Sequence, residues 1–512
     1  MGKFQDLRTS TSMTKPTAAE PWPDRIRRGL RGAVPALRAS WPWVALTALL
    51  VVLMIPAALL VAPGFVGPEA PAPAPPPPEW QQAPATLSAA RGLAPLDESA
   101  GIPAAASVTA QVEPLLKADG GGNFTGLVQD ALTGQVLFDR GGSESRVPAS
   151  NLKLLTAVAA LRSLGPEQRF TTSVVQGPAA GQVLLVGGGD VLLGAGESNA
   201  DQAMGHAGLA TLAAQTVEAL KAAGTLGEIR VLVDDSLFTG PALNPAWESG
   251  DVAAGEVAPV YPLALNSARY DPAVTTGPRP QDPAVTVAEE FAARLRAAGA
   301  AAGLTVAAAV ERSPSAAPTG GERAVLAEAQ SATVADQVDL MLQASDNYLA
   351  EVLGRMASVA AGGPGSNDGA TAAVRAQLTD AGINVDGIRL VDVCGLAMGN
   401  QVSARQFTEV VRAIAAGMDS RLRAALDGFP VAGLTGTLDT RYGEDSTARG
   451  AGLVRAKTGT LNTVLALSGY VVDADGRLLV FSFIGNGLTP GAAGNKVALD
   501  RAATALAGCG CR

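Results

Sequence analysis

Apolar residues cluster most clearly at the two ends of the long C-terminal part of the chain. Gly126–Asp130 and Gln135–Asp139 are apolar clusters joined through Leu132-Thr133-Gly134, the pattern of a β-hairpin with a tight turn. Val464–Val472 and Leu478–Ile484, rich in Val, Leu, Ile and aromatic residues, flank Asp473-Ala474-Asp475-Gly476 and predict a second hairpin. Lys496–Leu506 repeats apolar residues at helical spacing. Strands at both ends with helices between predict one antiparallel sheet assembled from both ends and flanked by helices, an α+β layout.

Between the hairpins, Ser150–Leu164 and Val334–Met356 read as helices, the first with Leu152, Leu155, Val158 and Leu161 on one stripe. Residues 168–325 have a different texture. Short strands at Val183–Val186 and Ile229–Val233 mix there with helices at Leu209–Ala223 and Val287–Ala298, the mark of an inserted α/β domain. The parent domain then comprises residues 108–167 and 326–512.

The N-terminal part does not read as globular. Trp43–Ala62 is an apolar run of bilayer-spanning length, preceded by Arg25, Arg27, Arg28, Arg31 and Arg38 with one acid, Asp24. The positive-inside bias puts residues 1–42 in the cytoplasm and the rest outside the cell membrane. The competing reading is a cleaved signal peptide, with small residues at Val61-Ala62-Pro63, which would leave the protein secreted; the length of the apolar run favours an uncleaved anchor. Residues 63–107, dominated by Pro and Ala, read as a semi-rigid polyproline II spacer.

Composition narrows the chemistry. The 512 residues carry a formal charge of −9, so nothing supports nucleic-acid binding, which needs a basic face. The sole histidine is His206, which rules out a zinc site of several imidazoles and directs any serine nucleophile to a non-histidine base. His206 itself reads as a surface residue of the insertion. Cys394, Cys509 and Cys511 are too few and too unevenly placed for a disulfide framework or a Cys-rich metal site; Cys394 reads as a small buried or half-buried residue and the terminal pair as incidental. No metal and no cofactor is called for.

Three motifs carry the candidate chemistry. In Ser150-Asn151-Leu152-Lys153, residues three apart share a helix face, so a partly desolvated Lys153 can take the proton of Ser150. The same spacing recurs meaninglessly at Ser12-Met13-Thr14-Lys15, and alone it describes a capping serine and a solvated lysine. Ser345-Asp346-Asn347 offers a proton-relaying hydroxyl and an amide able to line a cleft, or else a helix cap or kink. Lys457-Thr458-Gly459-Thr460 precedes the last hairpin, where an edge strand with a side-chain-free glycine can accept an extended peptide and bind its carboxylate; the plainer alternative is an edge strand guarded by a lysine. In this order the three are the signature of the serine penicillin-interacting enzymes.

The chain resembles the D-alanyl-D-alanine carboxypeptidase/endopeptidase family, the type-4 low-molecular-mass penicillin-binding proteins, over residues 108–507. The likeness extends to Leu184–Asp190, Val233–Phe238, Ser345–Glu351, Pro430–Gly433, Gly436–Leu438 and Arg455–Leu461, and to the long gap between Ser150 and Ser345. It implies a β-lactamase/transpeptidase-like fold and cleavage of peptidoglycan stem peptides through an acyl-enzyme on Ser150. Lys153 would be the base, Ser345 and Lys457 the proton path to the leaving D-Ala, and Asn347 would orient the peptide. Lys457, Thr458 and Thr460 would hold the terminal carboxylate, with Gly459 between them, and the N–H groups of Ser150 and Thr460 would form the oxyanion hole. β-Lactams would trap Ser150. A β-lactamase or esterase of the same superfamily, or a wall-bound β-lactam-binding protein without turnover, are the alternative readings. One departure stands out: where the family usually has Asp-Gly-Ser-Gly-Leu-Ser, this chain has Asp392-Val393-Cys394-Gly395-Leu396-Ala397, which implies lost hydroxyls near the cleft, a change in deacylation or in substrate positioning, and a thiol open to reaction.

Overall fold

The computed structural model describes residues 99–225, 227–314 and 323–510. No helix among them is long and apolar enough to cross a membrane, and the expected cytoplasmic tail, the span at 43–62 and most of the spacer lie outside the described residues.

Five strands form the first sheet in the order β10-β11-β12-β1-β2, all neighbours antiparallel. They are β1 (Gly121–Asp130), β2 (Val136–Arg140), β10 (Arg455–Leu461), β11 (Val464–Val472) and β12 (Leu478–Thr489). The two ends of the chain meet in the long β1–β12 ladder, where Gly126 faces Phe483 and Val128 faces Phe481. Both predicted hairpins are present, and β12 runs five residues beyond its expected end.

One face of this sheet is covered by α1 (Ala105–Val112) and α10 (Lys496–Ala507), which bury Val108, Val112, Leu499 and Leu506 against Phe124, Phe481 and Phe483. The helix α1 starts inside the segment expected to be spacer. Alanine is the strongest intrinsic helix former, so an Ala-rich stretch that looks like low complexity winds into a helix once two valines have a sheet to pack on.

The other face carries a helical layer of α2 (Lys153–Ser163), α6 (Val334–Gln343), α7 (Asn347–Ala360), α8 (Asn367–Asp380) and α9 (Ala404–Ala416). Nine of the eleven residues of α2 are buried, which makes it the central helix of that layer. A minor two-stranded pairing of β3 (Ser145–Arg146) with β9 (Val402–Ser403) ties the approach to α2 to the start of α9.

The second sheet has the order β7-β6-β5-β4-β8, formed by β4 (Thr171–Gln176), β5 (Gln182–Val186), β6 (Glu228–Asp234), β7 (Thr305–Arg312) and β8 (Val325–Gln330). Its β5–β6 and β6–β7 pairs are parallel, and β4 pairs antiparallel with both β5 and β8. Helices α3 (Leu209–Ala222) and α5 (Pro283–Gly299) pack on it around Leu212, Val231, Phe291 and Leu295, a core separate from the other two. The short α4 (Ser249–Ala254) lies on the chain returning towards the first sheet.

One buried ion pair ties the ends of β1 and β12. Arg477 donates to both carboxylate oxygens of Asp130, and the two side chains are 5% and 0% exposed. Burial alone would push the Asp130 carboxyl up, but the hydrogen bonds from Arg477 and Thr133 hold it below the usual carboxylate range. A carboxyl with a depressed folded value stabilises above its unfolded value and loses that contribution as pH falls. Arg477→Ala is therefore expected to cost about 3–5 kcal/mol at pH 7, read by urea unfolding. The gap between variant and wild type should shrink as pH falls below about 4.

Candidate active site

Ser150 does not open an α-helix, as expected, but sits in a tight 3-10 turn, Ala149–Leu152, that feeds α2 at Lys153. Ala149 enters the turn with a left-handed backbone, φ 48°, a strained conformation for a residue with a Cβ and one that clusters at functional sites. The turn is fastened to the sheet from beneath: Asn151 Nδ2 donates to Ser468 Oγ at 2.6 Å, and Ser468 to Ser482 Oγ at 2.7 Å. Two glycines let other segments close on it. A Cβ on Gly395 would lie 2.0 Å from the carbonyl oxygen of Ala149, and one on Gly459 would lie 2.9 Å from Pro148 O and 3.1 Å from Ser150 N. Edge strand β10 thus runs against the Ser150 turn only because position 459 has no side chain.

Lys153 is fully buried, and its amine reaches three acceptors from three parts of the chain: Ser150 Oγ at 2.9 Å, Asn347 Oδ1 at 2.6 Å and the Cys394 carbonyl at 2.7 Å. Burial lowers the amine below its ordinary range, and nearby Cys394, Asp392, Asp346 and Glu351 oppose the shift without reversing it. A neutral amine has two N–H groups and a lone pair. Asn347 Oδ1 and Cys394 O can only accept, so they take the two N–H groups and the lone pair is left facing Ser150.

The helix expected across Val334–Met356 is broken at Ala344-Ser345-Asp346. Ser345 adopts φ 56°, and Asp346 caps α7 by accepting from Leu349 N at 3.0 Å. The motif is a helix cap and a cleft wall together, since the cap turns Ser345 outward. Burial raises the Asp346 carboxyl, but Arg269, paired with it at 2.8 Å, the donors Leu349 N and Ser267 Oγ, and the nearby charge of Arg279 bring it below the usual range. Asn347 is held from its other side, donating to the Glu256 carbonyl at 3.0 Å.

Lys457, also fully buried, donates to Ser345 Oγ at 2.9 Å and to the Thr458 carbonyl at 2.8 Å. Burial, and then the neighbouring Lys153 amine, push Lys457 far below the ordinary lysine range. Thr458 Oγ1 shares a hydrogen bond of 2.7 Å with Thr437. A cleft of about 350 Å³ opens here, lined among others by Ser150, Ser345, Asn347, Thr458 and Thr460. All eight candidate residues, Ser150, Lys153, Ser345, Asn347, Lys457, Thr458, Gly459 and Thr460, therefore belong to the cleft wall or to the shell directly behind it.

Sequence reasoning assigned no role to Thr437, Glu256, Arg269, Arg279 or Arg441, which also line this cleft. Thr437 lies in a stretch already noted as family-like; the others carry no local signal, because loops folding back from distant positions deliver them.

Two expectations need correction. The Cys394 thiol is not open to reaction: it is fully buried, faces Asp392 Oδ2 at 3.6 Å, and burial pushes its pKa well above the ordinary value. Neither Cys394 nor Ala397 lines the cleft, and what Cys394 offers Lys153 is its backbone carbonyl, which does not depend on the side chain. Cys509 is not incidental, being buried and disulfide-bonded. His206 is half-buried, held by Arg169 at 2.8 Å and facing the Gln202 carbonyl.

An antiparallel sheet that joins β1 to β12, a serine turn feeding a buried helix and two desolvated lysines meeting from separate segments define an α+β protein with the side chains a peptidase needs. Residues 108–286 and 276–506 match the D-Ala-D-Ala carboxypeptidase 3 (S13) family, and the chain belongs to it: this protein is a D-Ala-D-Ala carboxypeptidase of that family. It is 37% identical over 431 residues to carboxypeptidase Rv3627c of Mycobacterium tuberculosis, covering 84% of this chain and 89% of that protein. Carboxypeptidase DacB of Mycolicibacterium smegmatis is 35% identical over 433 residues, covering 84% and 90%. Among solved structures, penicillin binding protein 4 of Haemophilus influenzae superposes with a TM-score of 0.60 at 22% identity, covering 78% of this chain and 97% of that one, a likeness of fold.

Two outcomes follow from this packing. A thiol reagent such as dithionitrobenzoate should leave Cys394 of the native protein unlabelled and modify it in denaturant. Gly459→Ala should leave the protein folded by circular dichroism yet slow its reaction with β-lactams by about 100-fold, since a displacement near 1 Å at the reacting atoms has that scale of effect.

Proposed function

We propose that this protein is a serine-type D-Ala-D-Ala carboxypeptidase that cleaves peptidoglycan stem peptides through an acyl-enzyme on Ser150. The observation that carries the reading is the arrangement at Lys153, where two obligate acceptors leave the amine lone pair for Ser150. In this reading Lys153 takes the Ser150 proton as Oγ attacks the carbonyl of the penultimate D-Ala. The developing oxyanion is met by the backbone N–H groups of Ser150 and Thr460. Lys457 and Ser345, in contact with each other, relay that same proton from Lys153 to the nitrogen of the departing D-Ala as the C–N bond breaks, and the D-Ala carboxylate binds at Lys457, Thr458 and Thr460 as the peptide lies along β10. Asn347 orients the peptide, and water then hydrolyses the ester. A β-lactam presents the same carbonyl and carboxylate, but its opened ring stays attached and blocks that water.

The domain organisation belongs to the same proposal. Residues 1–42 form a cytoplasmic tail, Trp43–Ala62 a single membrane-spanning anchor, and the Pro/Ala-rich stretch a spacer that holds the enzyme out in the wall. The catalytic domain, built from residues flanking an insertion at about 168–325, then acts outside the cell.

Incubation with a fluorescent penicillin should label Ser150, with the label absent from Ser150→Ala, and the wild type should release D-alanine from a pentapeptide. Labelling elsewhere, or D-alanine release that survives the substitution, refutes the reading, and rapid release of the bound β-lactam would mark a β-lactamase instead. Lys153→Ala should slow acylation by roughly 10²–10⁴-fold, the usual weight of a general base.

The acylation rate should also rise with pH, because only the unprotonated amine can accept a proton from Ser150. The depressed pKa places the midpoint of that rise below the value of about 10.4 usual for lysine. Stopped-flow acylation across pH tests this, and a midpoint at the ordinary lysine value would remove Lys153 as the base.

A further inference from the structure

Glu351 lies one helical turn beyond Asn347 on α7, so both side chains leave the same face of the helix. Asn347 reaches the Lys153 amine directly, and Glu351 reaches the segment that holds the amine from its other side. Its Oε1 accepts from Val393 N and from Cys394 N, both at 2.9 Å. The carbonyls of the same two residues point at α2: Val393 O accepts from Thr156 Oγ1 at 2.6 Å, and Cys394 O from Lys153 Nζ at 2.7 Å. The strand of chain at 393–394 is thus clamped through both of its amides and both of its carbonyls.

We propose that Glu351 is a positioning residue for acylation, aiming the Cys394 carbonyl at Lys153 so that the amine lone pair stays on Ser150; this rests on the reading of Lys153 as the base. Glu351 touches neither substrate nor Ser150 and lies outside the cleft lining. It is fully buried, and its second oxygen, Oε2, has no hydrogen-bond partner. A structural carboxylate would ordinarily have both oxygens satisfied in such a place. The ionisable groups around it are Asp392 and Cys394 on the clamped segment, Lys153 on α2, and Arg355 on its own helix. Burial, with Asp392 next, pushes the Glu351 carboxyl up to about 7. With any proton on the free Oε2, Oε1 accepts from both amides in either state, so the reach of the oxygen matters and the net charge does not.

Reach and charge are separable. Glu351→Gln keeps the acceptor at the same distance without the charge, while Glu351→Asp keeps the charge and withdraws the acceptor by one methylene. Stopped-flow acylation by a fluorescent penicillin should give Glu351→Gln a maximal rate within about threefold of wild type, while Glu351→Asp and Glu351→Ala fall by on the order of 10- to 100-fold. The concentration for half-maximal acylation should stay within about twofold throughout, because the cleft itself is untouched. An Asp variant as fast as wild type, or a Gln variant as slow as Ala, overturns the proposal. Glu351→Asp and Glu351→Gln of equal thermal stability but the predicted unequal rates would support it even where Glu351→Ala does not fold. Wild-type protein that carries no label on Ser150 would instead defeat the underlying assignment of the nucleophile.

Discussion

The candidate active site is arranged around an amine that has been taken out of water. A buried lysine is costly as a cation, and the protein offers Lys153 acceptors in place of a carboxylate, so the cheaper state is the neutral one. Lys457 doubles the effect, since two amines in one dry pocket cannot both stay charged without repelling each other. The pocket must therefore be dry, and dryness requires tight closure of the turn at 149–152, the break at 344–346, the segment at 392–395 and the edge of β10. The strained φ angles of Ala149 and Ser345 and the two glycines at 395 and 459 mark where that closure is tightest.

Much of this was legible in the sequence, and the limits of legibility are instructive. The hairpins and the sheet joining both ends followed from clustered apolar runs and the turn residues between them, which depend on local geometry. The chemical residues could be named because three short motifs recur in fixed order. What periodicity cannot show is a helix interrupted without a proline or glycine: from Val334 to Met356 the apolar spacing never falters, and the break at Ser345 is made by Asp346 taking the cap and by its contacts with Ser267 and Arg269, nearly 80 positions upstream. The same reason hid the rest of the cleft wall, since Glu256, Arg279 and Thr437 join the site only through tertiary contact.

Cys394 shows a different limit. Compared by side chain, exchange of a hydroxyl for a thiol beside the cleft looked like a change in chemistry. In three dimensions the side chain turns inward to Asp392, whose two oxygens also receive Gly395 N, Ala397 N, Asn400 Nδ2 and Trp247 Nε1. The main chain serves the amine, and the main chain is the same for either residue. An exchange at a named motif position changes function only when the side chain is the part in use.

The pairing of β1 with β12 has a temporal consequence. Residues as far apart as Gly126 and Phe483 must meet before the first sheet exists, and closing so long a loop is among the slowest kinds of step open to a folding chain. Lys457 rides on β10, at the far edge of that sheet, so the second amine arrives with the last strands to be made. The buried amine pair is thus assembled late, because β10 can be enclosed only when strands from distant parts of the chain have come together.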